Sequence, residues 1–234
     1  MENVGLTTNS NKIVAYGCSF TFGEELDDLP DWFNDKSDKR NYMPDKLIYH
    51  KPSKKSWPYV MGDILGYEVE NYGWSGGSND RIFRMLFEHI FNNDKKSTYV
   101  VQWTFPHRTE VWSEENQYYI GLVPTLIDSH IDCKRYYKHY YDEIDTRNKL
   151  RRFIWSVDSV CKQLGHEIIQ FMPIGVEDLN WDGVQVDNKF TPLNNLPDSF
   201  LDTNTIREKV NYKIHPTEDG HRELAKYIIN YRRK

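Results

Sequence analysis

Lys12-Ile13-Val14-Ala15-Tyr16-Gly17-Cys18-Ser19-Phe20-Thr21-Phe22-Gly23 is the stretch from which the rest of the chain can be read. Ile13, Val14 and Ala15 form a short apolar run that stops at Gly17, the pattern of a strand buried in a parallel sheet. Ser19 follows at once. Thr21 and Glu24 have the spacing of a capping box, so a helix is expected to begin here. A serine between a strand end and a helix start sits where backbone N–H groups and the helix dipole favour negative charge. A nucleophilic serine works best in such a place, because its attack on an ester creates an oxyanion. The plainer reading is a strand, a turn and a capping serine.

Two better-known loops do not fit. A phosphate-cradling loop needs G-x-x-x-x-G-K-[ST], but Gly17 and Gly23 are one residue too far apart and Glu24 stands where lysine belongs. The G-x-S-x-G elbow fails because Thr21 occupies the second glycine position. Bulk properties narrow the choice further. A chain of 234 residues with 38% hydrophobic and 28% charged side chains suits one large domain. Such a domain buries roughly 70–75% of its unfolded surface. A net charge of −5 argues against nucleic acid as a partner. No apolar run is long enough for a membrane span, and the first ten residues lack the basic and apolar regions of a signal peptide. Cys18, Cys133 and Cys161 are odd in number and unclustered, which predicts reduced thiols, no structural zinc and a cytoplasmic location.

Further along, residues 24–55 are rich in Asp and Lys and read as a solvated loop. No D-x-[DN]-x-[DN]-G spacing appears there, so calcium is not expected. Ser56-Trp57-Pro58 opens a helix whose inner face is Trp57, Val60, Met61, Ile64 and Leu65, and Gly66 stops it. Tyr67 to Asn71 is a short strand that runs into Asn71-Tyr72-Gly73-Trp74-Ser75-Gly76-Gly77-Ser78. Its three glycines mark a tight turn, and Ser78 is the expected N-cap of the next helix. Thr98 to Thr104 is a third strand. An excursion follows to about Asp145, with a hairpin over Glu110–Val123 and a tyrosine face (Tyr136, Tyr137, Tyr140, Tyr141) expected to pack it onto the body. A helix from Asp145 or Thr146 to Gly165, a strand over His166–Ile174, a loop-rich stretch over 175–210 and a helix over Thr217–Tyr231 complete the reading. Strands alternating with helices predict an α/β fold: a three-layer α/β/α sandwich around a mostly parallel, flavodoxin-like sheet. In such sheets the binding crevice lies at the carboxyl ends of the strands. Ser19, the Gly73–Gly77 turn and His107-Arg108 should share that edge.

Three blocks together resemble the SGNH, or GDSL-like, hydrolase family. Gly17-Cys18-Ser19-Phe20 is similar to its Gly-Asp-Ser-x block, with Cys18 in place of Asp. Asn71-Tyr72-Gly73-Trp74-Ser75-Gly76 is similar to its Asn-x-x-x-Ser-Gly block. Ile214-His215-Pro216, followed by Gly220-His221 and an apolar helix, looks like its last block. The resemblance spans most of the chain and implies a single domain over residues 1–234 with an insertion at about 105–145. It implies Ser19 as nucleophile, His215 as general base and the backbone N–H groups of Ser19 and Gly76 as oxyanion donors. His221 is expected to be structural.

The chain departs from that pattern twice. The family places an aspartate three residues before the histidine, where this chain has Tyr212; a backbone carbonyl or a distant carboxylate such as Asp202 is left to orient His215. The family's Gly-x-Asn-Asp block is replaced after the third strand by Gln102-Trp103-Thr104-Phe105-Pro106, leaving Asn79 as the candidate third oxyanion donor. The activity implied is hydrolysis of a small-molecule or carbohydrate ester, with acetyl groups on a carbohydrate as one substrate, and no metal or other cofactor. The alternative is a binding or assembly module that keeps the fold without catalysis. Oligomeric state is not legible.

Overall fold

The computed structural model describes residues 11–29, 51–93, 96–115, 117–172, 190–191 and 215–232. Apolar runs that fit a pleated, fully covered surface become the strands β1 (Lys12–Tyr16), β3 (Thr98–Gln102) and β6 (Glu167–Phe171). The more polar β2 (Glu68–Asn71) lies at one edge and the two-residue β7 (Phe190–Thr191) at the other. The order is β2-β1-β3-β6-β7 and every pairing is parallel. All of β3 is buried, as a central strand covered on both faces must be.

Helices close both faces. After α1 (Ser19–Phe22) come α2 (Trp57–Leu65), α3 (Asn79–Asn92), α4 (Ile131–His139), α5 (Glu143–Leu164) and α6 (Glu218–Arg232). α2 packs against α6, and α3 against α5, which makes the three-layer α/β/α sandwich. Trp57, Met61, Ile82, Leu86, Leu150, Ile154, Leu224 and Ile228 join the strand residues in one continuous core. The excursion forms an antiparallel hairpin, β4 (Thr109–Ser113) with β5 (Tyr118–Leu122), followed by a 3-10 turn and α4. Tyr137 ties α4 down, its hydroxyl lying 2.7 Å from His107 O and 2.9 Å from Leu122 O. Tyr140 stays exposed, because the helix ends at His139 and the tyrosine face does not continue.

Several local expectations change. The helix after β1 begins at Ser19 and ends at Gly23, in the left-handed conformation, so Thr21 and Glu24 form no capping box. Thr21 turns its hydroxyl instead to Gln102 Oε1 of β3. Ser56 occupies the N-cap of α2, but its hydroxyl donates to Ser53 O (2.6 Å). The first N–H of α2 is taken by His221 Nδ1 of α6 at 3.1 Å. Ile64 faces solvent, and α5 starts at Glu143, capped by Asp142 through Asp145 N–H (2.7 Å). Leu26 and Leu29 are buried, so this part of the expected solvated loop belongs to the core. The loop-rich stretch over 175–210 lies outside the described residues except for β7.

The turn after β2 is clamped onto α1. Asn71 Nδ2 donates to Thr21 O at 2.7 Å, and Asn71 Oδ1 accepts Gly73 N–H at 2.8 Å. Gly73 packs so closely that a Cβ there would sit 2.5 Å from Phe22 N and 2.7 Å from Thr21 C, both backbone atoms that cannot yield. Asn71→Ala should lose about 1–3 kcal/mol of stability, the cost of leaving these partners unsatisfied. Gly73→Ala should lose more, because it forces two backbones apart. Urea midpoints of the two variants against the unmodified chain measure both effects.

Candidate active site

Ser19 lies just past β1, at the first position of α1, and is nearly buried. Its carbonyl accepts the N–H groups of Gly23 (2.9 Å) and Glu24 (3.1 Å), which folds the chain back after one turn. Its hydroxyl makes no hydrogen bond among the described residues. The turn after β2 follows β1 outward: Tyr72 N–H bonds to Ala15 O (2.8 Å) and Trp74 N–H to Gly17 O (3.0 Å). Gly76 is exposed and has φ +69°, a conformation that favours glycine. A Cβ there would meet nothing within 4 Å, so space is open in front of this turn.

His215 enters from the far end of the chain, just before α6. Its ring stands edge-on to Phe20, centroids 5.4 Å apart. Two carboxylates bracket it. Glu24 Oε2 lies 3.7 Å from Nε2 and Glu25 Oε2 lies 3.4 Å from Nδ1. Glu24 is also reached by the Ser75 hydroxyl at 2.5 Å, which ties the second block to the first. Residues from all three sequence blocks thus meet at one edge of the sheet. Ser19 and His215 are brought into one neighbourhood but are not hydrogen-bonded to each other.

The remaining expected site residues fare differently. Asn79 donates its amide to Thr104 O (3.0 Å) and Phe105 O (3.3 Å) and accepts Thr104 N–H (2.8 Å). Its side chain is committed to holding the chain that leaves β3. Asp202 lies outside the described residues, as does Tyr212. His107 is half-buried and stacked on Phe105, and burial, then Arg108, holds its pKa below the ordinary value. Glu24 was expected as the capping-box partner of Thr21 and Glu25 was not singled out; no motif spacing marks either as a partner of His215, and only the end of α1 at Gly23 turns them toward it. Among the described residues no group of three or more His, Cys, Asp or Glu side chains is arranged to hold a metal ion. The three cysteines are buried free thiols, and no described helix is long and apolar enough to cross a membrane.

Behind the site lies a buried polar group set. The Trp57 indole N–H donates to Gln102 Oε1 at 3.3 Å, the oxygen that also meets the Thr21 hydroxyl. His221 is fully buried and accepts Trp57 N–H. Burial, and then the nearby His215, push its pKa down to about 3, so it is neutral and structural.

No protein-family model and no curated protein sequence matches the chain. Solved structures do. An acetyl xylan esterase (Est2A) from the rumen bacterium Butyrivibrio proteoclasticus matches with a TM-score of 0.50 at 13% identity, over 96% of this chain and 64% of that one. The acetyl xylan esterase AlAXEase matches with a TM-score of 0.50 at 11% identity, over 94% of this chain and 98% of that one. A member of the lipolytic protein G-D-S-L family from Veillonella parvula matches with a TM-score of 0.49 at 11% identity, over 94% and 96%. The likeness is one of fold: the chain has the SGNH hydrolase fold.

The buried histidine makes the fold acid-sensitive. In the unfolded chain His221 takes up a proton near its ordinary value of about 6.5, but in the folded chain only near 3. Between these values the unfolded state binds more protons, so stability falls as pH is lowered, with a slope approaching ~1.4 kcal/mol per pH unit. Burial holds His89, His107 and His166 below their ordinary values too, and they act in the same direction. His221→Gln should flatten the decline between pH 6.5 and 4 while lowering stability at pH 7, as read from urea midpoints at several pH values.

Proposed function

We propose that the chain is a serine ester hydrolase of the SGNH type, one domain with an insertion at about 105–145. Ser19 is the nucleophile, His215 the general base, and the backbone N–H groups of Ser19 and Gly76 the oxyanion donors. The observation that carries this reading is the meeting of blocks far apart in sequence: Phe20 beside Ser19 touches the His215 ring, and Ser75 beside Gly76 bonds to Glu24 at the same ring. Ser19 Oγ attacks the ester carbonyl carbon, and its proton passes to His215 Nε2. The imidazolium then gives that proton to the leaving alcohol, and an acyl-enzyme remains until water releases the acid. The oxyanion is stabilised by the two backbone donors.

Acetyl groups on a carbohydrate are the proposed substrate. Two structures that match at a TM-score of 0.50 are acetyl xylan esterases. In this chain the hairpin carries Trp112 and Tyr119, directly paired across its strands, both exposed and with rings 5.1 Å apart. Such a pair offers an apolar face to a sugar ring. The alternative, a binding module that keeps the fold, draws on a Ser19 hydroxyl that makes no hydrogen bond among the described residues and on Tyr212 in the place of the usual acid.

A fluorophosphonate probe and nitrophenyl acetate separate the two. The unmodified chain should be labelled and should turn the ester over. Ser19→Ala and His215→Ala should each lose on the order of 10⁶ in turnover while staying folded. No labelling and no turnover across a broad pH range would replace the hydrolase with the binding module. Trp112→Ala and Tyr119→Ala should raise KM for acetylated oligosaccharides and leave nitrophenyl acetate hydrolysis unchanged; equal effects on both esters would remove the hairpin from substrate binding.

A further inference from the structure

We propose that Glu25 is the positioning carboxylate of His215, filling the role left open by Tyr212. This rests on the reading of Ser19 and His215 as nucleophile and base. A base that shuttles a proton from serine needs a third group on its other nitrogen, to hold the tautomer and ring orientation and to stabilise the imidazolium. Two carboxylates are in range, and they meet different nitrogens. Glu24 Oε2 is nearer Nε2, the nitrogen that must receive the serine proton, and is already engaged by the Ser75 hydroxyl. Glu25 Oε2 lies 3.4 Å from Nδ1, a buried nitrogen that makes no hydrogen bond among the described residues. The gap is a few tenths of an ångström beyond a good hydrogen bond, as catalytic contacts often are before substrate binds. The two side chains are only 16% and 13% exposed, so water screens the pair weakly.

The backbone supplies an independent observation. Glu25 has φ +69°, a left-handed conformation that few non-glycine residues adopt. Such strain costs on the order of 1 kcal/mol and persists where surrounding structure over-determines it. Here the turn is braced. Asp28 binds the Ser53 hydroxyl and Lys54 N–H (2.7 Å), Ser53 N–H bonds to Phe22 O (2.9 Å), and Lys55 joins Asp27 and Glu218 (2.8 Å each). Glycine would suit position 25 better if only the turn mattered. The residue that takes this strained conformation places its carboxylate against His215. During acylation the Ser19 proton moves to Nε2, the Nδ1–H already on the ring donates to Glu25, and Glu25 stays ionised throughout.

Kinetics of nitrophenyl acetate hydrolysis for the unmodified chain, E25Q, E25G, E25D and E24Q test the assignment, with urea midpoints for each. E25Q and E25G should lower kcat by between about 10² and 10⁴, with KM changed by less than about threefold. A merely structural glutamate would move the urea midpoint of E25Q and E25G and leave the kcat of the folded variants unchanged. E25D keeps the charge and should recover at least about tenfold over E25Q. Wild-type kcat in E25Q and E25G would overturn the proposal, as would a loss confined to E24Q. An unmodified chain with neither turnover nor probe labelling would instead end the Ser19–His215 reading, and this proposal with it.

Discussion

The contact between two turns, Gly73 against the backbone of α1, sets the geometry on which the rest of the site depends. Its clearance is that of a glycine and nothing larger, and the Asn71 amide spans it from one backbone to the other. Because α1 is only four residues long, it has little helical stability of its own. It is held in shape by its neighbours: Asn71 on its last turn, Gln102 on the Thr21 hydroxyl, and Ser53 on Phe22 O. Ser19 and the two glutamates that follow α1 inherit their positions from this arrangement.

Two histidines six positions apart show how strongly position decides chemistry. His221 faces inward from α6, accepts one backbone N–H and is neutral because no water reaches it. His215 stands just outside the same helix with a carboxylate toward each ring nitrogen. Burial and then the nearby His215 disfavour a positive charge on His221. His221 holds α2 to α6 through the first N–H of α2.

The sheet was legible because apolar runs bounded by glycines leave few alternatives. Ile13–Ala15 and Tyr99–Val101 can be satisfied only by burial on both faces, and Gly66 and Gly165 end helices in the left-handed conformation that glycine favours. The turn after β2 was legible for the same reason, since its glycines mark a place where backbones come close, whereas His215 was marked only by the family resemblance. The partners of Ser56 and Asn79 were not. Ser56 was read as an N-cap and its hydroxyl goes to Ser53 O, while Asn79 was read as an oxyanion donor and its amide is taken by the chain leaving β3.

Local sequence therefore settled where the central strands run and where α2 and α5 stop, because these follow from periodicity and from the conformations that glycine permits. The tertiary structure alone decided that α1 ends at Gly23, that the first N–H of α2 is capped by a histidine 164 positions later, and that Glu24 and Glu25 close around His215. Those outcomes turn on which polar groups lose access to water together. A group cut off from water takes whatever partner the packed chain brings within reach, and no spacing along the sequence records which partner that will be.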